Sequence, residues 1–288
     1  MPAAPQVRAF FDEPTFTVSY LVWDGPSRRA AIIDSVLDFD AKSGRTATHS
    51  AQAILDAAKA EGVTVDWIFE THAHADHLSA APFLKHATGA PVVIGEHIKA
   101  VQQAFKGVYN LTEENADGRP FDRLVGDGER LPLGGLEIEV LHTPGHTPAC
   151  VSYRIGDAVF VGDTLFMPDY GTARCDFPGG DARTLYRSIQ RLLKLPADTR
   201  VFLCHDYKAP GRQAYVWETT LGEEKARNVH VHDGVTEDAF VAMREARDKT
   251  LGMPALILPS IQVNIRAGEL PPAESNGVRY LKLPLDLL

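Results

Sequence analysis

The sequence predicts an α/β fold, because strand-like and helix-like segments alternate along most of the chain. Short apolar runs typical of buried strands recur between segments whose apolar residues have helical spacing. Several of these runs lead directly into a histidine, as in "VDWIFETHAHADH" and "VFLCHDY", and strand ends are the usual location of functional sites in α/β layers. With 288 residues, 44% of them hydrophobic, the chain can bury a sizeable core.

The first half of the chain gives these predicted elements in order. "TFTVSYLVWD" and "AAIIDSV" are predicted strands that form a hairpin across the polar turn "GPSRR". "SAQAILDAAKAEG" is a predicted helix that ends at Gly62. "VDWIF" is a short strand that leads into the histidine-rich loop, and it is followed by helix "APFLKHATG", strand "APVVIG" and helix "EHIKAVQQAF".

In the second half, "LEIEVLHTPGH" reads as a strand that enters a Pro-Gly turn. "ACVSYRIGDAVFVGDTLF" predicts two strands about a Gly-Asp turn, and "TRVFLCHDY" predicts another strand. "DARTLYRSIQRLLKLP" predicts an amphipathic helix with Leu185, Ile189, Leu192 and Leu193 on one side. We expect "GVYNLTEENADGRPFDRLVGDGERL" to be an irregular surface connection, and the polar, helical, proline-punctuated tail to cover the main domain.

Charge and composition exclude some classes of function. The formal net charge of −9 argues against a sequence-independent hold on phosphate backbones, so no nucleic-acid partner is expected. The start shows no basic leader followed by a long apolar run, which favours a cytoplasmic protein without a membrane partner. Cys150, Cys175 and Cys204 show no disulfide framework or CxxC pattern and are interpreted as reduced, buried thiols. Homo-oligomer formation stays open.

The stretch "THAHADH" places four metal-binding side chains within six positions: His72, His74, Asp76 and His77. Imidazoles and a carboxylate packed so densely would be difficult to satisfy by hydrogen bonds alone. Imidazole and carboxylate are also the ligands of borderline transition metals. This cluster therefore predicts a metal site.

Three further candidates follow strand signals: His146 in "TPGHT", Asp163 in "VGDT" and His205 in "LCHDY". A sheet that aligns these strand ends would bring all three to the first cluster. Each also has an ordinary explanation, since Asp163 could be a turn residue and His146 incidental to a Pro-Gly turn. The remaining histidines are interpreted as satisfied or exposed side chains: His49, His86, His97, His142, His230 and His232.

HxHxDH, followed in order by "TPGHTPAC", "GDTLF" and "CHDY", resembles the metallo-β-lactamase superfamily over about residues 8–208. The resemblance implies a four-layer αβ/βα sandwich with metal at one edge. The C-terminal extension, residues 209–288, is expected to pack on it, although the part up to about residue 252 is only loosely similar to the family. Within that superfamily, "ARCDFPGGDARTLYRSIQRLLKLP" and "VNIRAG" are similar to the persulfide dioxygenases, also called sulfur dioxygenases. The fold itself hosts hydrolases, nucleases and oxygenases, so it does not determine the reaction.

The persulfide dioxygenase resemblance implies one Fe²⁺ per chain, held by His72, His146 and Asp163. The implied reaction oxidises glutathione persulfide with O₂ to sulfite and glutathione. A face of two histidines and one carboxylate leaves open positions where sulfur and O₂ can bind side by side. The other candidates would orient the ligands from outside: His74, Asp76, His77 and His205. Thr172 stands where this family often has a cysteine, so no redox role is carried over to that position.

The same residues admit a two-metal arrangement. One zinc would take His72, His74 and His146, and a second would take Asp76, His77 and His205, with Asp163 bridging. Such a site activates a hydroxide and implies a thioester hydrolase of the glyoxalase II type. A metal-binding protein without catalysis is a third reading, weakened by the many polar groups around the ligands.

A glutathione-derived substrate carries carboxylates, so arginines are expected near the metal. Arg174, after the strand that carries Asp163, and Arg266, in "VNIRAG", are the candidates for binding them. Tyr207, two residues past His205, is a candidate catalytic residue that could hydrogen-bond the substrate, and Arg174 is the second. The ordinary readings are a surface salt bridge for each arginine and a core position for the tyrosine.

Overall fold

The structure is a computed structural model that describes residues 4–111 and 115–287. The strands are β1 (Gln6–Asp12), β2 (Thr17–Trp23), β3 (Arg29–Ile33), β4 (Val36–Asp40), β5 (Arg45–Ala47), β6 (Thr64–Phe69), β7 (Leu78–Ser79), β8 (Val92–Gly95), β9 (Arg123–Val125), β10 (Arg130–Leu133), β11 (Leu136–His142), β12 (Val151–Ile155), β13 (Ala158–Phe160), β14 (Arg200–Phe202) and β15 (Glu218–Thr220). The helices are α1 (His49–Glu61), α2 (Ala81–Thr88), α3 (Ile98–Val108), α4 (Ala182–Leu192), α5 (Leu221–Arg227), α6 (Glu237–Asp248) and α7 (Ile257–Asn264).

Two six-stranded sheets form the centre of the molecule. The first has the order β1-β2-β3-β6-β8-β9, and the second has the order β10-β11-β12-β13-β14-β15. Strands β3, β6, β8 and β9 run parallel to one another, as do β13 and β14. A small third sheet, β5-β4-β7, lies beside the histidine-rich loop.

The alternation along the central strands explains the layers. In β2, Val18, Tyr20 and Val22 enter the core shared with the second sheet, whereas Leu21 and Trp23 face the helices outside. Period-two alternation sends successive side chains to opposite faces, and both faces of this strand are covered. Helices α1, α2, α3 and α7 contribute to the outer core of the first sheet, and α4 and α6 to that of the second. The result is the predicted four-layer α/β sandwich with C-terminal helices packed on it.

The predicted elements named above are present, including the hairpin between β2 and β3 and the end of α1 at Gly62. The prediction for "GVYNLTEENADGRPFDRLVGDGERL" was partly wrong, because it contains β9 and the start of β10. Both strands are short, with three and four residues, and proline and charged residues hide their pattern. Residues 112–114 of that segment lie outside the described residues.

The three cysteines are buried free thiols, as predicted. Burial raises the pKa of the Cys150 thiol to about 12, which keeps it protonated. Within residues 4–111 and 115–287, no helix combines the length and the apolar content needed to cross a bilayer. The domain limits at residues 8–208 and 209–288 stay predictions.

Candidate metal centre

The predicted metal ligands converge at the edge where strands β6, β13 and β14 end. His72, His74, Asp76 and His77 lie on the loop after β6, Asp163 follows β13, and His205 follows β14. His146 follows β11 after a turn of three residues, 143–145. The five histidines are buried, and Asp163 is only 8% exposed. The structure thus brings the seven residues together from four separate parts of the chain.

Two loop glycines allow these strand ends to approach one another. Gly145, just before His146, has φ 138°, and a Cβ there would lie 2.3 Å from Cα of Leu185. Gly162, just before Asp163, has φ 52°, and a Cβ there would lie 2.6 Å from Oγ1 of Thr71. Any larger residue would clash at either position, so both glycines are needed to place the ligands that follow them.

Four groups of three side chains bring their donor atoms within 4.8 Å of one another: His72, His146 and Asp163; His74, Asp76 and His77; His74, Cys204 and His205; and Asp34, Glu70 and His74. In the first group, Oδ2 of Asp163 lies 3.9 Å from Nε2 of His72 and 3.6 Å from Nε2 of His146. The other carboxylate oxygen, Oδ1, lies 3.3 Å from Nε2 of His205. Asp163 is therefore the link between the first group and His205.

The hydrogen bonds of the imidazoles test whether a metal fits. His146 Nδ1 lies 2.8 Å from the carbonyl oxygen of Arg174, and His205 Nδ1 lies 3.3 Å from that of Phe16. His72 Nδ1 lies 3.0 Å from Oγ1 of Thr71. Several buried atoms have no hydrogen-bond partner among the described residues: Nε2 of His72, His77 and His205, Nδ1 of His74, and Oδ1 of Asp163. An imidazole held through one nitrogen with the other nitrogen unsatisfied is the arrangement of a metal ligand, so the site fits a metal.

His74 is held through its Nε2, whereas His72, His146 and His205 are held through Nδ1. Its Nε2 lies 3.0 Å from Oδ1 of Asp34 and 3.3 Å from Oε2 of Glu70. Burial acts to lower the pKa of His74, but the charges and hydrogen bonds of the two carboxylates outweigh it, and the pKa lies well above its usual value. For His72, burial and then the neighbouring His74 and His146 hold the pKa well below its usual value. His72 is therefore neutral, as a metal ligand must be.

A cavity of about 360 Å³ opens over this centre. Asp76, His146 and Asp163 line it on the metal side. Aromatic and basic side chains line much of the rest: Phe16, Phe166, Tyr170, Tyr207, Arg174, Arg244 and Arg247. The ring of Tyr207 stacks on that of His205, with centroids 5.5 Å apart. The cavity therefore leads from solvent to Asp163 and His146 along an aromatic wall.

The predicted substrate residues divide between two places. Tyr207 and Arg174 line the cavity over the metal centre, and the Arg174 guanidinium forms a bidentate ion pair with Asp176 and donates to the Gly252 carbonyl. Arg266 lines a different cavity with Arg119 and other residues, so the structure does not bring it to the metal centre. Arg266 lies just after the end of α7, and sequence spacing contains no signal of which cavity it lines.

Sequence reasoning missed Asp34 and Arg247. Asp34 follows the buried strand β3, the same position that singled out the other candidates, and that signal could have found it. Arg247 sits in the last turn of α6, where only the packing of the C-terminal extension brings it to the cavity. Thr172 is buried beside the cavity, and its backbone N–H donates to Nδ1 of His230 at 3.0 Å.

Relatives of the chain carry two kinds of name. A protein named probable metallo-hydrolase from Burkholderia pseudomallei (strain 1710b) is 56% identical over 98% of this chain and 99% of that protein. Glyoxylase B2 from Dictyostelium discoideum is 48% identical over 98% of each chain. The mitochondrial persulfide dioxygenase ETHE1 from Homo sapiens is 31% identical over 70% of this chain and 68% of that protein. Identity is thus higher to the metallo-hydrolase and the glyoxylase than to the dioxygenase.

Solved structures and family models agree on the fold. The crystal structure of ETHE1 from Myxococcus xanthus superposes with a TM-score of 0.73, at 32% identity, and covers 92% of this chain and 100% of that one. The family model described as the metallo-beta-lactamase superfamily matches residues 12–205. That span contains the seven predicted metal-site residues and ends at His205. The chain is therefore a member of the metallo-beta-lactamase superfamily, with the buried His and Asp clusters of a metal site.

Proposed function

We propose that this protein is an iron-dependent persulfide dioxygenase that oxidises glutathione persulfide with O₂ to sulfite and glutathione. The observation that carries the proposal is the compact group of His72, His146 and Asp163, of which His146 and Asp163 line the cavity. Two imidazoles and one carboxylate are the face used by non-haem iron oxygenases. Ferrous iron held there would supply redox chemistry with O₂ and open coordination positions for a substrate sulfur.

The surrounding chain fixes the direction of the donors. The Arg174 carbonyl holds Nδ1 of His146, so Nε2 is the nitrogen that faces Asp163. The same residue supplies its guanidinium to the cavity wall, where Asp176 keeps it oriented. Arg174 therefore positions a ligand through its backbone and shapes the substrate cavity through its side chain.

Tyr207 supplies a hydrogen-bond donor beside the metal group. Burial, followed by the negative charges of Asp76 and Asp163, holds the pKa of Tyr207 well above its usual value. The phenol therefore keeps its proton at neutral pH. In the proposed reaction the hydroxyl donates to the terminal sulfur of the persulfide, or to an oxygen added to that sulfur, and so orients the group that is oxidised.

The far side of the cavity suits a carboxylate-bearing carrier. Arg174 and Arg244 are paired with Asp176 and Asp248, which neutralise part of their charge. Arg247 lies on the same wall, exposed, and its guanidinium makes no hydrogen bond or ion pair with the part of the chain that the structure describes. A cation in that state can take a substrate carboxylate without breaking an existing pair, so we assign carrier binding first to Arg247.

A dizinc thioester hydrolase of the glyoxalase II type is the second candidate. The names of the probable metallo-hydrolase and of glyoxylase B2 support it more directly than they support the oxygenase. The position of Asp163 also supports it, since one carboxylate oxygen faces His72 and His146 and the other faces His205. A bridging carboxylate between two metals would need such a position.

The grouping of donors favours the one-metal arrangement. The two-metal arrangement needs Asp76, His77 and His205 as one set. In the structure Asp76 and His77 group with His74, whereas His205 groups with His74 and Cys204. The one-metal set of His72, His146 and Asp163 has all its donor atoms within 4.8 Å of one another. The second set of the two-metal arrangement is linked only through Asp76, whose Oδ2 lies 3.1 Å from Nδ1 of His77 and 3.5 Å from Nε2 of His205 among the described contacts.

An oxygen electrode combined with a sulfite assay tests the proposal. With iron-loaded protein and glutathione persulfide, O₂ uptake should match sulfite formation about one to one, without a nicotinamide or other reductant, because the substrate sulfur supplies the electrons. Glutathione alone is the control and should give no uptake, since it lacks a terminal sulfane sulfur. Absence of O₂ uptake, together with rapid anaerobic hydrolysis of S-lactoylglutathione, would instead establish the hydrolase.

A further inference from the structure

The last residue of helix α7, Asn264, hydrogen-bonds to the backbone of the histidine-rich loop. Its carboxamide nitrogen donates to the carbonyl oxygen of His74 at 2.8 Å and to that of His77 at 2.7 Å. Its carboxamide oxygen accepts from the backbone N–H of Ser79 at 2.8 Å. Asn264 is only 4% exposed, so these bonds form without competition from solvent.

The hydrogen-bonding capacity of this side chain is matched to the loop. A primary amide carries two N–H donors and one oxygen acceptor, and here both donors and the oxygen are in use. The Glu70 N–H bonds to the Val93 carbonyl and the Thr71 carbonyl accepts from the Val151 N–H, whereas residues 72–77 continue as a loop outside any strand or helix. Buried carbonyl groups of such a loop need a donor from elsewhere, and Asn264 supplies it for two of them.

The helix that carries Asn264 is firmly anchored. Ile257 and Ile261 of α7, and Ile265 just after it, belong to the same hydrophobic core as Leu84 of α2 and Ile94 of β8. Helix α7 also packs against β7, the strand that leaves the histidine-rich loop. The carboxamide is therefore carried by a helix that is packed into the core.

We propose that Asn264 is a positioning residue that sets metal affinity by fixing the backbone of the histidine-rich loop. It would act through the carbonyls of His74 and His77, whose rings lie 4.2 Å apart, and not as a ligand. Loss of its two donors frees the peptide planes to rotate, which displaces the imidazoles and carboxylate that the loop carries. Outer residues that orient metal ligands typically change affinity about 10–100-fold when they are lost.

Helix α7 provides a matched control in Gln262. Its carboxamide nitrogen donates to the carbonyl oxygens of Leu258 and Lys282, both at 2.7 Å, and its oxygen accepts from the N–H of Lys282 at 2.8 Å. Gln262 is also buried, at 3% exposure. It therefore also uses both amide donors and its oxygen from the same helix, but it bonds to Leu258 of α7 and to Lys282 of the tail and not to the metal loop.

The test compares Asn264→Asp with Gln262→Glu. Each variant keeps the size of the side chain and its acceptor oxygen but replaces the amide donors. Zn²⁺ would be titrated into the metal-free proteins against a chromophoric chelator, and the free energy of unfolding of each metal-free protein would be measured in urea. We expect Asn264→Asp to weaken Zn²⁺ binding about 10-fold or more and Gln262→Glu to leave it within about 3-fold.

The sign of the effect separates geometry from charge. A new carboxylate near a cation site attracts the cation, so weaker Zn²⁺ binding in Asn264→Asp would have to come from the altered loop. Unchanged affinity in that variant would overturn the proposal, as would equal weakening in both variants. If Asn264→Asp does not fold, Asn264→Ser is judged by the same criteria, since its smaller side chain leaves room for water beside the two carbonyls.

Discussion

Nε2 of His74 lies 3.0 Å from Oδ1 of Asp34, and both side chains are buried beside the metal group. Asp34 also accepts hydrogen bonds from the N–H and Oγ1 of Thr71, the residue before His72. Its backbone has φ 51°, in the left-handed region that a non-glycine residue rarely adopts. One carboxylate at the end of β3 thus organises both ends of the Thr71–His74 segment.

Replacement of Asp34 by Asn should weaken metal binding about 10–100-fold. The amide keeps one acceptor oxygen but loses the charge that holds His74 and cannot accept on both sides. Competition with a chelator measures the change. Asp38→Asn is the control, since the Asp38 carboxylate accepts from the N–H and the hydroxyl of Ser50 and does not belong to the metal-ligand groups found among the described residues. Equal effects of the two substitutions would remove Asp34 from its assigned role.

His146→Ala should remove metal and activity together, because Nε2 of His146 faces Asp163 with its other nitrogen already held. His142→Ala should keep both. His142 stands at the end of β11, four residues earlier, and its Nε2 bonds to the Pro148 carbonyl. Metal content by mass spectrometry and turnover are the readouts, and full metal retention in His146→Ala would contradict the ligand assignment.

Arg247→Ala should raise KM for glutathione persulfide about 10-fold, equivalent to about 1.4 kcal/mol, and leave kcat within about 2-fold. The reason is that Arg247 would bind the carrier carboxylate and not the reacting sulfur. Lys249→Ala, which removes an exposed cation two residues later, should change neither constant. The difference in KM between the parent and Arg247→Ala should become smaller at high salt, as expected for an exposed charge. A fall in kcat with unchanged KM would exclude carrier binding by Arg247.

The stability of the protein should depend on His230 at mildly acidic pH. Burial, followed by the positive charges of Arg244 and Arg247, lowers the pKa of His230 to about 4 in the folded protein. The unfolded protein binds the proton near pH 6.5, so the free energy of unfolding decreases as the pH falls from about 6.5 to about 4. Because the ring is only partly buried, we expect about 1–3 kcal/mol.

Urea unfolding of the metal-free protein and of His230→Gln, between pH 7 and pH 4, measures this effect. The glutamine side chain can still accept the bond from the Thr172 N–H that Nδ1 of His230 accepts. The free energy of unfolding should therefore fall more steeply with acidification in the parent than in the variant. Parallel curves would show that His230 does not cause the loss.

The sequence predicted the parts of the site that local patterns encode. His72, His146, Asp163 and His205 were singled out because each follows a strand signal, and the structure brings these strand ends to one edge. The strand signal of "AAIID" points equally to Asp34, but no histidine or second carboxylate stands beside it in the sequence. Local patterns thus predict the metal group and mark Asp34 as a strand-end carboxylate, but the contact of Asp34 with His74, 40 residues away, depends on tertiary packing.

The remaining parts depend on tertiary packing. Arg266 and Arg247 both lie in the C-terminal extension. Nothing in their sequence spacing reveals which arginine lines the cavity over the metal centre. The docking of α6 and α7 decides it, bringing Arg247 to the metal side and Arg266 to another cavity. The contacts of Asn264 with the histidine-rich loop also depend on tertiary packing, since they join residues 187 and 190 positions apart in the sequence.

The metal content of protein purified without added metal tests the one-metal account most directly. Elemental analysis by mass spectrometry, combined with a protein assay, gives the metal per chain. The group of His72, His146 and Asp163 predicts about one iron per chain and little zinc. Two zincs per chain, with thioester hydrolysis that persists without O₂, would contradict the account and establish the two-metal site bridged by Asp163.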